Sequence, residues 1–390
     1  MPLLSIVIPT HERFRYARET VRVILDMIDD VEVIVSDTSV TNAWAETRFD
    51  DSRGRLKVVR PGSGISVVEN FNAALTRTTG DFVCFIGDDD LVTPAIMNIV
   101  RQAAADNVEV ARVSFPILFY WADYRHRAQP EAYAGTVWAS HYSGCVRPLD
   151  PTAALDFASA QLGRGVFNMP RAYCGIVSRA LIERVVARYG ALFGGVSPDI
   201  YSAALLAAEA RRAVDIDFPA IVPGASGAST AGQSAAGQHV GGLRDNDHIR
   251  PFKDLVWHPF VPEFYSVPTV WSYSLIRALE RIDGRDVTEA GWGRLYAQCL
   301  LYHRRYRQQT LSAMRAYSEA TSRVSTARQV AQGVAAEMAW AAGRLRRRVS
   351  VARKVTSDRR VDGATDAFAA ATIIERLIAE GPALSWAPIA

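Results

Sequence analysis

Several features that would mark a specialised class of protein are missing from this sequence. It has only four cysteines in 390 residues, and none of them forms a C-x-x-C pair. Neither a disulfide framework nor a zinc site is therefore predicted. No run of about 18 apolar residues is present, and Pro9 interrupts the apolar start of the chain. These absences predict a protein of the reducing cytoplasm, with neither a signal peptide nor a membrane-spanning helix.

An excess of charge is also missing, except in one segment. The net charge is only +3, which is too small to argue for binding to nucleic acid. Residues 344–360 are the exception, with eight basic residues and one acid, Asp358. They follow a helical pattern in which Val330, Val334 and Met338 share one face. The basic segment predicts either a solvated helix or peripheral contact with the anionic inner face of a membrane.

The first half of the chain alternates strand and helix patterns. Buried strands are predicted for four short apolar runs, residues 3–8, 31–35, 56–59 and 82–86. Residues 14–28 and 67–78 repeat apolar side chains at helical spacing. Gly80 follows the second of these helices and is expected to end it in a left-handed conformation. This alternation predicts an α/β fold with a mainly parallel sheet flanked by helices.

The rest of the chain changes character near residue 225. Residues 224–242 are almost entirely Gly, Ala, Ser, Thr and Gln, a composition typical of a linker or of a mobile loop beside a site. Beyond this segment the patterns are mostly helical. We therefore predict three parts: an α/β domain at 1–225, a flexible loop at 226–252 and a mostly helical C-terminal region at 253–390.

Acidic side chains follow two of the predicted strands. Asp37 comes at the end of the second strand, and the aspartate triad, residues 88–90, comes directly after the fourth. Ligands of open α/β sheets bind at the carboxyl edge, where these residues are expected to meet. Carboxylates there suit Mg²⁺ or Mn²⁺ together with substrate phosphates. The structural alternatives are a solvated acidic turn for the triad and an Asx-turn for Asp37.

Four sequence blocks together resemble a known family. They are, in chain order, LSIVIPT at 4–10, VIVSD at 33–37, NFNAAL at 70–75 and GDFVCFIGDDD at 80–90. In this order they are similar to the family 2 glycosyltransferases of the GT-A fold. The resemblance is strong over the first quarter of the chain and reaches weakly to about residue 225. His11-Glu12 and Gly87 depart from the usual residues of the family.

The resemblance implies a nucleotide-sugar donor, often UDP-linked, a divalent metal, Mg²⁺ or Mn²⁺, and inversion at the anomeric carbon. It places Pro9 and Thr10 beside the nucleotide, Asp37 at the base and Asp88 near the ribose. The donor-binding residues implied are Pro9, Thr10, Asp37, Asn70 and Asp88. The metal ligands implied are Asp90, Asp88 and His239, with Asp90 as the direct ligand. Both His239, as a lone loop histidine, and Arg13, as a helix-surface arginine, have a solvated role as the default alternative.

Asp199 is the candidate catalytic base. Ser197-Pro198-Asp199 opens a predicted helix at the place where the family has its catalytic acid, and transfer to a hydroxyl needs a group that accepts the hydroxyl proton. The alternative is that Asp199 only complements the helix dipole. Asp215 and Asp217 are further candidates for the role.

The function predicted from these residues is an inverting, metal-dependent glycosyltransferase of polysaccharide or glycoconjugate synthesis. Its acceptor would be a glycan, a lipid-linked molecule or a small molecule. One alternative is a non-catalytic nucleotide-sugar or glycan-binding protein that kept the GT-A fold. A dinucleotide-dependent enzyme is disfavoured because Val67 occupies the third glycine position of the motif beginning at Gly62. A nucleotidyltransferase is disfavoured because Pro9-Thr10-His11 stands where a glycine-rich loop is needed.

Overall fold

The structure is a computed structural model, and it describes most of the chain. The described residues are 2–49, 51, 53–126, 129, 131–228, 240–353 and 359–386, with the side chains of 344–353 left out. Within this part of the chain no helix is long and apolar enough to cross a membrane.

The centre of the molecule is an eight-stranded sheet in the order β3-β2-β1-β4-β10-β6-β11-β9. Its strands, in chain order, are β1 (Leu4–Thr10), β2 (Val31–Asp37), β3 (Leu56–Val59), β4 (Phe82–Phe85), β6 (Val110–Val113), β9 (Val146–Leu149), β10 (Gly175–Ser178) and β11 (Ala213–Ile216). The pairs β3-β2, β2-β1, β1-β4 and β6-β11 are parallel. Strand β10 is antiparallel to both its neighbours, and β9 is antiparallel to β11. The predicted α/β fold with a mainly parallel sheet is confirmed.

Helices cover both faces of this sheet because successive strand residues point to opposite sides. Ile6 and Ile8 pack on one face against α1 and α3, while Val7 packs on the other against α2, α4, α5 and α6. These helices are α1 (Phe14–Met27), α2 (Val67–Leu75), α3 (Ala95–Ala105), α4 (Pro151–Ala160), α5 (Arg179–Tyr189) and α6 (Pro198–Glu209). Helix α2 ends at Leu75, earlier than predicted, and Gly80 is not left-handed. A Cβ at Gly80 would lie 2.7 Å from the Ser5 amide nitrogen, so this glycine allows close packing on β1.

Four strands form a second, smaller sheet in the order β13-β7-β8-β14. They are β7 (Ile117–Tyr120), β8 (Thr136–Ala139), β13 (Gly224–Ala225) and β14 (Arg359–Asp362), and the two short strands β5 (Leu91–Val92) and β12 (Ile221–Val222) pair separately. Strand β14 is antiparallel to β8, which joins the C-terminal part of the chain to its first half. Helix α11 (Ala367–Glu380) packs on the same core as Tyr16 and Val23 of α1.

The region after residue 253 is mostly helical, as its patterns predict. Its other helices are α7 (Val267–Leu279), α8 (Trp292–Tyr302), α9 (Arg307–Ala320) and α10 (Arg323–Arg353). Tyr273, Trp292 and Tyr317 from these helices belong to the same hydrophobic core as Val7 of β1. The boundary near residue 225 stays a prediction, and the helices beyond it share their core with the main sheet.

Helix α10 crosses α8 at two glycines. A Cβ at Gly333 would lie 2.1 Å from the Gly293 carbonyl oxygen, so only glycine allows the two backbones to come this close. One turn further along, the Glu337 side chain is fully buried between Arg164 and Arg294. Met338, on the apolar face of the helical pattern, is 65% exposed. The inward face of α10 is therefore set by Gly333 and Glu337.

Candidate active site

The site is built where three parallel strands of the main sheet end. Thr10 ends β1 and is paired in register with Asp37, the last residue of β2. The Thr10 hydroxyl donates a hydrogen bond of 2.6 Å to Oδ2 of Asp88, which follows β4. Thr10 thus lies between the two acidic turns. The predicted meeting of Asp37 and the aspartate triad at one sheet edge is what the structure shows.

Arg13 compensates two of the three charges of the aspartate triad. Its Nη1 lies 2.8 Å from Oδ1 of Asp88, and its Nη2 lies 2.7 Å from Oδ2 of Asp89. The Ser226 amide and hydroxyl also donate to Oδ2 of Asp89, at 3.0 and 2.6 Å. The expectation that Arg13 lies solvated on its helix is wrong: its side chain is 21% exposed, and the triad lies beneath it. The feature of the sequence that could have indicated this contact is the position of Arg13, three residues after Thr10.

Burial and charge shift the pKa values of this group in opposite directions. Burial raises the pKa of Asp88 to about 7, although Arg13 and the Thr10 hydroxyl oppose the shift. Burial alone would lower the pKa of the Arg13 guanidinium, but the charges of Asp88 and Asp89 raise it above its usual value. The ion pairs therefore keep Arg13 charged in a place where an isolated cation would be costly.

Asp90 is held differently, by backbone amides. Gly87 N–H donates to its Oδ2 at 2.7 Å and Gly224 N–H to its Oδ1 at 2.8 Å, while the Cys174 thiol approaches Oδ2 at 3.4 Å. Within the described residues no cationic side chain forms an ion pair with Asp90. Burial and the charge of Asp89 raise the pKa of Asp90 to about 6. Asp90 is thus the triad member whose charge is left without a cation.

Steric crowding explains why a glycine occupies position 87 in this site. A Cβ there would lie 2.8 Å from the Tyr173 hydroxyl oxygen and 2.9 Å from Oδ2 of Asp90. The Tyr173 hydroxyl itself approaches Oδ2 of Asp90 at 3.5 Å. The departure from the family residue at this position leaves room for Tyr173 beside the carboxylate.

A cavity of about 390 Å³, called here the carboxylate cavity, brings Asp89, Asp90 and Asp199 together. Its polar lining includes Arg13, Asp89, Asp90, Arg171 and Asp199. Asp199 lies in the first turn of α6. Burial raises the pKa of Asp199, while amide N–H groups and the charge of Arg171 lower it, and the net shift is upward. The cavity can therefore hold a reacting group between a buried acidic pair and a carboxylate of increased basicity.

The remaining residues assigned to the donor lie outside the lining of this cavity. Oδ1 of Asp37 accepts a hydrogen bond of 2.9 Å from the Ser39 amide, which is the Asx-turn alternative, and Arg60 Nε lies 3.9 Å from its Oδ2. The Asn70 side chain exchanges two hydrogen bonds with Ser36 and ties α2 to β2. Pro9 is half-buried beside Thr10.

The other candidates fall in different places. His239 lies outside the described residues. The described part of the chain brings together no group of three His, Cys, Asp or Glu side chains able to hold a metal. Asp215 pairs with Arg112, and Asp217 accepts hydrogen bonds from Ser114 and Ser143, so both have structural partners. Neither lines the carboxylate cavity.

A family match covers the first part of the chain. Residues 5–153 match the family described as Glycosyl transferase family 2. This segment holds most of β1, together with β2, β4 and the whole aspartate triad, so the resemblance to this family predicted from the sequence is confirmed over these residues. No curated protein sequence matches the chain.

The chain is also similar to solved structures, two of which are described here. Residues 1–349 of TarS from S. aureus, in complex with UDP-GlcNAc, are 14% identical, with a TM-score of 0.48 and 81% of each chain covered. The mannosyltransferase PcManGT from Pyrobaculum calidifontis, in complex with GDP-Man and Mn²⁺, is 15% identical, with a TM-score of 0.40. That alignment covers 96% of this chain and 87% of the other.

Proposed function

We propose that this protein transfers a sugar from a nucleotide-sugar donor, UDP-linked, to an acceptor hydroxyl with inversion at the anomeric carbon. The observation that carries the proposal is the convergence of Asp89, Asp90 and Asp199 on one cavity beside the ends of β1 and β4. The family 2 match over residues 5–153 supports the reaction class. Polysaccharide or glycoconjugate synthesis is the proposed setting.

The nucleoside end of the donor is assigned to the edge formed by Thr10, Asp37 and Asp88. Carboxylate oxygens there can accept hydrogen bonds from a base imide or from ribose hydroxyls. Arg13 keeps Asp88 and Asp89 in fixed positions before the donor arrives, and Pro9 and Asn70 support the same edge from β1 and α2. This preorganisation reduces the cost of ordering the site on binding.

A divalent ion fits this site at Asp90. Its carboxylate is buried, lines the cavity and has no cationic partner within the described residues, so a cation there would offset an uncompensated charge. Hard oxygen ligands of this kind suit Mg²⁺ or Mn²⁺. Bound there, the ion supplies positive charge that stabilises a diphosphate leaving group. Asp88 and His239 remain proposed ligands, although Asp88 is already engaged by Thr10 and Arg13.

Asp199 is the proposed general base. Its raised pKa makes the carboxylate more basic than an exposed aspartate, and it lines the same cavity as Asp89 and Asp90. The Asp199 carboxylate takes the proton of the acceptor hydroxyl as the acceptor oxygen bonds to the anomeric carbon. The bond from that carbon to the diphosphate oxygen breaks, and the nucleoside diphosphate leaves with the electron pair.

The test is a donor screen by thermal shift, with and without Mn²⁺, followed by donor hydrolysis and transfer assays. We expect one nucleotide sugar to raise the melting temperature, because a ligand that binds the native state stabilises it by mass action. Asp90→Ala should lose the Mn²⁺-dependent part of that shift, and Asp283→Ala, at an exposed site, should keep it. Donor binding without hydrolysis or transfer would favour the non-catalytic alternative. No response to any donor would refute both.

Contact between the basic segment 344–360 and anionic lipid remains a separate proposal, which would suit a lipid-linked acceptor. A truncation near Gln329 cannot test it, because β14 and α11 belong to the fold. Replacing Arg344, Arg346, Arg347 and Arg348 by Gln in the full chain is the suitable variant. We expect weaker co-sedimentation with vesicles containing phosphatidylserine, and unchanged co-sedimentation would exclude the segment.

A further inference from the structure

The second sheet has one buried face and one partly open face. Ile117, Phe119 and Val137 are fully buried on the first. Leu118 and Tyr120 alternate with them on β7 and point to the other side, as the two-residue period of a strand requires. Leu118 is 36% exposed, and Tyr120 is partly exposed. This second face is the only one of the two that a ligand can reach.

A cluster of aromatic rings covers the open face. The ring centroids of Tyr120 and Tyr133 are 5.1 Å apart, and those of Tyr133 and Trp138 are 5.4 Å apart. Tyr124 packs 4.9 Å from Tyr120 and supports the cluster from beneath. Tyr120, Tyr133 and Trp138 all keep part of their surface exposed. We call these three rings, with Leu118, the aromatic face.

The chemistry of this face suits a saccharide. Aromatic rings offer flat apolar surfaces on which the C–H faces of a pyranose can stack, while the phenolic hydroxyls can bond to sugar hydroxyls. Arg360 lies opposite Trp138 in the register of β14 and β8, and pairs with Asp362. These exposed charged groups add hydrogen-bond donors and acceptors beside the rings. An aliphatic protein-binding patch would have neither the hydroxyls nor the ion pair.

The aromatic face is continuous with the carboxylate cavity. Leu118 lines that cavity together with Asp199, and it is paired in register with Trp138. Side chains directly opposite on paired strands lie about 5 Å apart, so the rings begin next to the cavity wall. Thr10 and Asp37, assigned to the nucleoside, do not line the cavity. A saccharide on the aromatic face would therefore reach Asp199 from the side that the nucleotide leaves open.

We propose that the aromatic face binds the acceptor, and that the acceptor is a glycan whose terminal sugar enters the carboxylate cavity at Asp199. The acceptor role of this glycan rests on the proposed function. The binding of a saccharide to the aromatic face, however, can be measured without any reaction.

The experiment compares binding of the full chain to an array of oligosaccharides, followed by calorimetry with the best-bound oligosaccharide. Trp138→Ala and Tyr133→Ala should each weaken binding at least tenfold, while Trp138→Phe, which keeps a ring, should weaken it less. Phe368→Ala is the matched control, since Phe368 is an aromatic residue of α11 that is 41% exposed. The melting temperature of every variant without ligand shows whether its fold is intact, and the thermal shift with the donor is measured on each variant as well.

The outcomes separate this inference from the proposed function. Loss of saccharide binding with an unchanged donor response supports both. Loss of saccharide binding in a protein that responds to no donor supports the glycan site and removes the transferase. Wild-type saccharide binding in both alanine variants, or no oligosaccharide bound by the wild type, overturns the inference whatever the donor result.

Discussion

Two clusters of buried acidic side chains differ in a way that separates a site from a structural ion pair. The aspartate triad, residues 88–90, has three carboxylates against one guanidinium, Arg13, and it opens on a cavity. Glu337 is one carboxylate between two guanidinium groups, Arg164 and Arg294, and it is fully enclosed. Burial of charge is common to both. The aspartate triad is distinguished as a candidate site because part of its negative charge is uncompensated and lies beside the carboxylate cavity.

The largest effect should come from breaking the enclosed cluster. Glu337→Gln keeps the shape of the side chain but leaves Arg164 and Arg294 buried without a counter-charge. Removing one partner of a buried pair costs about 3–5 kcal/mol, and we expect a loss of unfolding free energy in that range. Urea denaturation measures it. Glu319→Gln, at an exposed position of α9, should change stability by less than about 0.5 kcal/mol.

A loss of stability in Glu337→Gln would support a purely structural role for Glu337 only if the folded variant still binds the donor. We expect folded Glu337→Gln protein at low temperature to bind the donor as the wild type does, because neither Glu337 nor its partners Arg164 and Arg294 line the carboxylate cavity. A stable variant that has lost donor binding would show that the enclosed cluster belongs to the site after all.

The second-largest effect is expected for Asp199→Asn, and it is a loss of transfer rate rather than of stability. Asp199→Asn keeps the size of the side chain but cannot accept the proton of the acceptor hydroxyl. General base catalysis is typically worth about 100- to 10,000-fold, so transfer should fall by that factor while donor affinity stays within about twofold. Transfer assays and donor titration measure the two quantities. Near-normal turnover would remove Asp199 from the role, and Asp247→Asn on the surface is the matched control.

Local patterns were enough to predict the first strands and helices. Residues 56–59 form a strand with the predicted limits, and the helix predicted for residues 14–28 is α1 (Phe14–Met27). The pairing of Asp37 with Thr10, and of Thr10 with Asp88, follows from parallel strand order once the strands are known. The central residues of the candidate site could therefore be predicted from the sequence.

Features that depend on contacts between distant parts of the chain could not be predicted from local patterns. Arg13 has the pattern of a surface arginine until β4 brings Asp88 and Asp89 beneath it. Glu337 on α10 is buried by arginines from elsewhere in the chain, whereas Met338, on the apolar face of the same helix, is 65% exposed. The pairing of β14 with β8 joins segments more than 200 residues apart, and no local pattern encodes it.

Replacing Arg13 tests the other side of the comparison. Arg13→Gln leaves Asp88 and Asp89 buried without their cation, and we expect a loss of roughly 1–3 kcal/mol, reduced because Arg13 is partly exposed. Added Mn²⁺ should restore part of this loss, since a cation can then enter the open acidic cluster. Thermal melting in EDTA and in Mn²⁺ measures both. Mn²⁺ bound at Asp90 should stabilise Glu337→Gln only as much as it stabilises the wild type, whereas Arg13→Gln should gain more. Equal gains in all three proteins would remove the distinction between the two clusters.

The smallest effect is a shift in pH dependence that depends on Arg171. This side chain lines the cavity, donates to the Val113 carbonyl at 2.7 Å and stacks 4.3 Å from the Phe115 ring centroid, so its position is fixed. Burial raises the pKa of Asp199, and the positive charge of Arg171 partly offsets that rise. Arg171→Gln removes the offset, so the pKa of Asp199 rises further.

Because the base acts in its ionised form, transfer is lost as the pH falls through the pKa of Asp199, and a higher pKa moves that loss to higher pH. The acidic limb of the kcat/KM profile should therefore shift upward in Arg171→Gln and stay near the wild-type position in Arg171→Lys, which keeps the charge. A change in KM alone would indicate a substrate contact. An acidic limb in the same place in all three proteins would mean that the titrating base is a group other than Asp199, and the open cavity would then have to supply another carboxylate for the reaction.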